Sequence, residues 1–493
     1  MITHRECLSG SSALDIESRY LPEAGGSLVV NDIHSQLNGT QVDCILTPRS
    51  VSEVQAAVRE CKARDKPLSI AGGRHAMGGQ QFGSGTFLLD MRQMNQVLDL
   101  NLERGTLEVQ AGAFWPELIA EYLRRQEEEG RGQPWGIAQK QTGADKLSIG
   151  GTLAANAHGR GLTMPPFISN VESFTLVNAD GDLVLCSRHH DPELFRLAIG
   201  GYGLFGVVCS VTLRLVPRQK LERVVEVRNV DGLISAFDKR IRSGFLYGDF
   251  QFAIDRYSDD FMHKGVFSCY RPVDPATPMP EHVKELSDES WRTLLYLAHT
   301  DKSEAFRRYA DYYLSSNGQI YWSDTHQLSF YPENYHGAID RKTQATHPAT
   351  EMITEINVPR ASLNSFLDEV REDFRKNNVE LIYGTIRLIE KDLESFLPWA
   401  RQSYACTIFN LHTEHTPEGM ARSAEAFRRL IDMAARRNGT YYLTYHRHAR
   451  REQVLACYPQ FPDFLQLKRK YDPAERFQSD WYRHYKTMFE DVL

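Results

Sequence analysis

The chain has 493 residues, ordinary apolar content and a formal charge of −7, enough for two or three domains around a large core and lacking the basic excess of a nucleic-acid binder. Its eight cysteines are scattered with no C-x-x-C pair, which argues against a zinc knuckle or a disulfide framework and fits a reducing compartment. No stretch approaches the roughly 18 apolar residues needed to cross a bilayer, and the opening MITHRECLSGSSALDIESRY lacks a basic start followed by an apolar run, so a soluble, cytoplasmic protein with no transmembrane anchor is expected.

Ser50 and Glu53 form a capping-box pattern ahead of Val51, Val54, Val58 and Cys61, whose spacing predicts an amphipathic helix that ends before Pro67. The stretch LSIAGGRHAMGGQQFG then runs an apolar strand, Leu68 to Ala71, into a glycine-dense loop centred on His75. Gly72, Gly73, Gly78 and Gly79 let backbone approach a bulky anion, and successive amides in such a turn form a nest for a diphosphate; a plain tight turn has the same composition. Strands at Thr86–Met91 and Thr106–Ala111 and a helix from near Trp115 follow, an order unlike the strand–helix alternation of a dinucleotide-binding Rossmann domain, and no G-x-G-x-x-G opens a helix.

In QTGADKLSIGGTLAANAHGRG, the small residues Ser148, Gly150, Gly151, Thr152, Ala154 and Ala155 precede Asn156 and His158 and suit either a flat ligand or a close helix–sheet contact. VESFTLVNADGDLVLCS reads as a hairpin turning at Asp180-Gly181, and ELFRLAIGGYGLFGVVCSVTLRLVP as a helix end, a glycine turn and a strand from Val207 to Leu215.

Taken in order, TPRSVSEVQAAVRECK, IAGGRHAMGGQ, LDMRQMNQVLDL, LEVQAGAFWPEL, SIGGTLAANAHGRG, VESFTLVNADGDLV and LAIGGYGLFGVVCSVTLRLVP resemble the FAD-binding domain of the vanillyl-alcohol oxidase and p-cresol methylhydroxylase flavoproteins over roughly residues 45 to 217. The resemblance implies an α+β fold: two α+β subdomains holding extended FAD, and a second domain, an antiparallel sheet backed by helices, roofing the substrate pocket. It implies cofactor contacts at Ala71, Gly72, Gly73, Arg74, His75, Ala76, Gly79 and Gln80, then at Thr142, Gly143, Ser148, Gly150, Gly151, Thr152, Asn156 and His158, and lastly at Gly206 and Val208. It also implies a covalent link from His75 to the flavin, the other reading being a hydrogen-bonded histidine; a second link is disfavoured because no cysteine stands near QTGADKLSIGG. Arg74 and Ala76 flank His75 where many members have glycine and serine, and an arginine there is reminiscent of the sugar-alcohol and aldonolactone oxidases.

In the second half, alternation in GDFQFAID, LIYGTIRLIE, CTIFNLHTE and TYYLTYHRHA predicts four strands with a polar face that carries Arg387, His412 and His446, backed by the helices LNSFLDEVREDFRKN and GMARSAEAFRRLIDMAARRN; a solvated sheet face alternates in the same way. GTIRLIEKDLESFLPWARQSYACTIFNLH is similar to the substrate-domain stretch of aldonolactone and alditol oxidases, although Thr385 stands where an acidic residue is usual two places before the arginine. LKRKYDPAERFQSDWYRHY is similar to the family's closing stretch, so Lys468 to Leu493 is expected back against the first domain. The expected division is an FAD-binding domain at 1–218, a substrate domain at 219–455 and a returning segment at 456–493.

The function this implies is an FAD-dependent oxidoreductase, an oxidase or dehydrogenase taking a hydride from the carbinol carbon of a polyhydroxylated or sugar-derived alcohol. His446, ahead of His412, would be the base and Arg387 would steady developing negative charge. Oxygen, a quinone or a protein remains open as acceptor. Two other functions stay open: reduction of a carbon–carbon double bond, and non-catalytic flavin binding. No metal site is expected, because His446 and His448 form H-x-H without further ligands. The aromatic residues of SSNGQIYWSDTHQLSFYPENYH read as core before pocket.

Overall fold

The computed structural model describes residues 28–130, 134–329 and 331–493; the amino-terminal stretch read for targeting, with Cys7, lies outside the described residues. Helix Val51–Ala63 starts where Ser50 accepts from the Glu53 amide, and buries Val54, Ala57, Val58 and Cys61 against a three-stranded parallel sheet. In that sheet Phe87–Asp90 lies between Cys44–Leu46 and Leu68–Ala71. Each flanking strand is apolar enough to be covered, as parallel sheets require. The carboxy-terminal chain extends its edge: the Leu68 amide donates to Arg476 O at 2.7 Å and the Gln478 amide to Leu68 O at 2.9 Å.

A six-stranded antiparallel sheet follows, in the order Leu183–Ser187, Val171–Val177, Val207–Pro217, Thr106–Gln110, Val97–Asn101, with Trp135–Ile137 paired to the end of Val207–Pro217. The hairpin expected at Asp180-Gly181 is present, with Gly181 at φ +84°, where only glycine is unstrained. Helix Trp115–Glu129 buries Trp115, Leu118, Ile119 and Tyr122 and ends on Gly130 at φ +60°.

An eight-stranded sheet, antiparallel throughout, occupies the second half, in the order Ile320–Trp322, Lys220–Asn229, Lys264–Pro272, Tyr247–Phe252, Leu381–Ile389, Tyr404–Glu414, Ala349–Pro359, Thr440–Tyr441. Its two faces differ as the alternation of strand side chains demands. Phe409 packs on Phe366 and Phe374 of helix Leu363–Lys376, so the Phe409 and Leu411 side is the helix-backed core. The opposite side, carrying Ile408 and Asn410, lines a cavity and is met by helices Asp288–Thr300 and Lys302–Ser315.

One expected strand is cut short. TYYLTYHRHA keeps strand pairing only at Thr440–Tyr441, then leaves the sheet. The physical reason is competition for its carbonyls: the Met77 amide donates to Thr444 O at 2.9 Å, and Gln80 Nε2 to Leu443 O at 2.7 Å. The glycine loop thus claims the chain that the periodicity assigned to the sheet.

Candidate functional site

A single cavity of about 970 Å³ runs from the glycine loop to the polar face of the eight-stranded sheet. Ala71, Gly72, Gly73, Arg74, His75 and Ala76 form one wall at its amino-terminal end, with Gln80 beside them. The amides of Arg74, His75 and Ala76 have no acceptor among the described residues, so three consecutive N–H groups on this wall remain for an anion. Arg74 sits at φ +61° and Nη2 donates to the buried carboxylate of Asp90 at 3.1 Å, which fixes the loop's left-handed turn.

The loop glycines have a second reason to be glycine. A Cβ on Gly72 would lie 2.0 Å from Ser148 Oγ, and one on Gly73 would lie 2.2 Å from Lys146 O. Ser148 Oγ in turn accepts from the Gly151 amide at 3.2 Å, capping helix Ile149–Ala155. Close packing of loop on helix start therefore builds the wall, and the bare backbone faces the cavity elsewhere: at Gly143, where φ is +108° and a Cβ would meet nothing within 4 Å, and at Gly151, where it would meet only Ser148 Oγ. Thr142, Gly150, Thr152, Gly206 and Val208 complete this end.

His75 is held on both ring nitrogens. Nε2 lies 2.9 Å from Lys146 O, which only accepts, so Nε2 carries the proton; Nδ1 lies 2.8 Å from His34 Nε2 and accepts from it. Burial and the neighbouring His34 push the His75 pKa down to about 3, and burial brings His34 to about 4, so both rings are neutral at pH 7.

Three of the expected cofactor contacts stand away from the cavity. Gly79 packs its Cα side against Arg447 Nη1. Asn156 is fully buried, its Nδ2 donating to Asp392 at 2.8 Å and its Oδ1 accepting from the Ile168 amide at 3.0 Å. His158 is enclosed beside Trp399, its Nε2 2.9 Å from Glu355. The small-residue run brings these polar side chains to the back of helix Ile149–Ala155, because the chain turns at Asn156, which adopts φ +46°. Residues not singled out for FAD but lining the same end include Gln81, Ala157, Tyr202 and Tyr445. Their signal was contextual: each flanks a segment already read as ligand-facing.

At the sheet end, Arg387 lines the cavity and is 5% exposed, yet its guanidinium has no hydrogen-bond or ion-pair partner among the described residues. The register that pairs Phe250 with Ile386 and Gln251 with Thr385 carries Asp249 directly across from Arg387 on the same face. Asp249 stands 3.6 Å from Arg160 of the first half, and its Oδ1 is unpartnered; so are Gln251 Oε1 and Arg160 Nε. On the same sheet face, buried Glu351 accepts from Tyr335 and, at 2.6 Å, from Asn410.

The two expected histidines do not join this cluster. His446 is buried outside the cavity, stacked on His448 at 5.4 Å, and burial with neighbouring Arg447 holds its pKa at about 3. It left the sheet with the segment that bonds the glycine loop. His412 does share a face with Asn410, but lies one step beyond the cavity, where its ring meets His299 at 5.5 Å. Burial lowers its pKa. His326, which alternation did not flag, lines the cavity with both ring nitrogens unpartnered, between the rings of Tyr247 and Tyr270. Tyr321 and Trp322, read as core first, line the cavity as well.

A cavity bounded by free loop amides, bare backbone and a neutral histidine at one end, and by an unpaired cation at the other, suits an extended anionic ligand such as a nucleotide cofactor. The comparisons agree: residues 42–187 match the family model described as FAD binding domain. The chain is 34% identical over 173 residues to an uncharacterized oxidoreductase, ORF5 in the fasciation locus of Rhodococcoides fascians, covering 35% of this chain and 37% of that one. It is 26% identical over 181 residues to L-gulonolactone oxidase of Mus musculus, 36% and 39% of the two chains, and 26% identical over 261 residues to cytokinin dehydrogenase 7 of Oryza sativa subsp. japonica, 50% and 48%. The matches span less than half the length of these curated relatives. The matches support the resemblance to the vanillyl-alcohol oxidase and p-cresol methylhydroxylase flavoproteins over the FAD-binding part of the chain. Among the described residues no cluster of three or more His, Cys, Asp or Glu is placed to hold a metal ion, and no helix is long and apolar enough to cross a membrane.

Proposed function

We propose that this protein is an FAD-dependent oxidoreductase that removes a hydride from a carbon bearing a hydroxyl or amino group. The observation that carries the reading is Arg387, a buried, unpaired guanidinium in the chamber wall opposite Asp249. A buried guanidinium left without a hydrogen-bond partner is costly, so a site that keeps one is built to receive an acceptor or negative charge from a ligand. FAD, when bound, supplies a two-electron acceptor.

The chain's own groups divide the remaining work. The amides of Arg74, His75 and Ala76 take the diphosphate, and Thr142, Gly143, Ser148, Gly150, Gly151, Thr152, Gly206 and Val208 supply close backbone and small side chains along the cofactor. His75, neutral and with its lone pair on Nδ1, is the proposed point of covalent attachment, and His34 orients its ring. Asp249 Oδ1 accepts the proton from the donor's O–H or N–H, a role the position of His446 leaves open, and Arg387 steadies the charge that develops as the hydride leaves. Names such as L-gulonolactone oxidase support an oxygen-bearing, sugar-derived donor, and cytokinin dehydrogenase supports a nitrogen-bearing one.

Acid precipitation of purified protein tests the cofactor assignment: yellow colour stays in the pellet of wild type and is lost in His75→Ala. Complete release of flavin by wild type refutes the covalent link. Arg387→Leu should retain FAD while slowing donor-driven bleaching under nitrogen by about 100-fold or more, the usual cost of removing one charge-stabilising group. Unchanged bleaching refutes its role.

A further inference from the structure

With Arg387 turned to the charge that develops during oxidation, one buried cation of the chamber is left without a counter-charge. Arg223 comes from strand Lys220–Asn229, lines the cavity and is 7% exposed. Its Nε and Nη2 donate to Tyr270 Oη at 2.9 and 2.7 Å, and its Nη1 to Ser316 Oγ at 2.8 Å, which uses three of its five N–H groups. The guanidinium lies 5.1 and 4.7 Å from the ring centres of Tyr313 and Tyr321, and no carboxylate of the described residues pairs with it.

Two further donors gather on the same tyrosine. Arg160 and Arg223 have their Cζ atoms 5.4 and 5.3 Å from the centre of the Tyr270 ring, and the His326 imidazole packs on that ring at 4.6 Å with both nitrogens unpartnered. Burial and the charge of Arg160 keep His326 neutral. The other charges nearby are accounted for. Asp249, 3.6 Å from Arg160, offsets that cation, and Lys140 is paired with Asp145 at 2.9 Å. Glu351 stands five strands away on Ala349–Pro359, and Glu285 at the rim is exposed. Phenols and ring faces return only part of what a guanidinium loses on leaving water, so Arg223 is built to meet an anion.

Resting on the oxidoreductase reading above, we infer that the donor carries a carboxylate remote from the carbon that gives up the hydride, held by Arg223 with Arg160 and His326 beside it. A planar guanidinium fork matches a carboxylate, and the neutral imidazole can donate one N–H. The sheet sets the spacing. Asp249 pairs with Ser268 and Ser268 with Val225, so Arg223 is two strands and two residues away, about 12 Å between Cα atoms at ordinary strand spacings. Arg223 turns to Tyr270 and Ser316, not to Asp249, so its anion stands several bonds from a carbon whose O–H or N–H meets Asp249. The carboxylate holds the donor and takes no part in hydride or proton transfer.

Benzoate and benzamide separate charge from shape, since their outlines are nearly the same and neither can give up a hydride. Calorimetric titration of the FAD-loaded protein should show benzoate binding about tenfold or more tightly than benzamide, the scale of one charge-assisted contact. Arg223→Met should bring the two to within about twofold, whereas Arg223→Lys and Arg387→Leu keep benzoate ahead. Should Arg223→Met fail to fold, the wild-type ratio and the lysine variant still decide. Equal affinities in wild type, or a benzoate lead that survives Arg223→Met but not Arg387→Leu, overturn the inference. Under nitrogen, 6-hydroxyhexanoate should bleach the flavin at about tenfold lower concentration than 1,6-hexanediol. Equal bleaching would assign the anion site to a separate acid and overturn its place in the donor; faster bleaching by 2-hydroxyhexanoate would overturn the remote spacing. A benzoate lead with no alcohol or amine bleaching the flavin supports the anion site and defeats the oxidoreductase reading instead.

Discussion

Gly72→Ala tests whether the cofactor wall is made by loop-on-helix packing. The new Cβ would fall 2.0 Å from Ser148 Oγ and 3.0 Å from Ser148 Cβ, so either the loop or the helix start must give way. Overpacking of this kind costs about 1–3 kcal/mol. Ser148→Ala alone removes a cap that accepts from the Gly151 amide and costs about 1 kcal/mol. Because the worst overlap is with the hydroxyl that Ser148→Ala deletes, the double variant should be less unstable than the sum of the singles by about 1 kcal/mol, the scale of coupling between touching residues. The residual 3.0 Å approach to Cβ keeps the relief incomplete. Urea unfolding of the four proteins, with and without FAD, measures the cycle, and FAD retention after gel filtration reports the wall itself. Strict additivity, or a Gly72→Ala protein as stable and as yellow as wild type, would show that the loop does not rest on Ser148.

His446 and His158 allow two further checks. The folded pKa of His446, about 3, lies below the unfolded value of about 6.5, so the unfolded chain takes up a proton first as pH falls and stability drops. At 6% exposure this should amount to about 2 kcal/mol between pH 7 and pH 5, and His446→Gln should abolish that share of the acid sensitivity in urea melts. Equal pH slopes in the two proteins would contradict a buried neutral imidazole. His158→Ala strips buried Glu355 of the imidazole 2.9 Å from it and should cost on the order of 3 kcal/mol, while the folded fraction keeps its FAD. Loss of FAD from protein that remains folded would return His158 to the cofactor site.

Much of the amino-terminal half could be read from its residues, because its signals are local. The capping residue Ser50, the Asp180-Gly181 hairpin and the strand that breaks into glycines at Gly72 each depend on neighbours within a few positions, and the structure has them where they were expected. The strands 381–389 and 404–414 were equally legible, since period-two alternation decides which face Arg387 and Asn410 share. Long-range competition was not legible. Nothing near His446 shows that Met77 and Gln80, more than 360 positions away, would take the carbonyls of Leu443 and Thr444 and pull that histidine out of the sheet. In the same way Asn156 and His158 look like ligand contacts until Asp392, Glu355 and Trp399 arrive from the second half to occupy them. Sequence alone determined the elements that build the first half, since backbone geometry and periodicity are properties of short segments, and the kind of cofactor domain followed from the family resemblance those segments carry in order. Which polar side chains were left without a protein partner, and so remain for a ligand, was decided only when distant segments packed and satisfied the others.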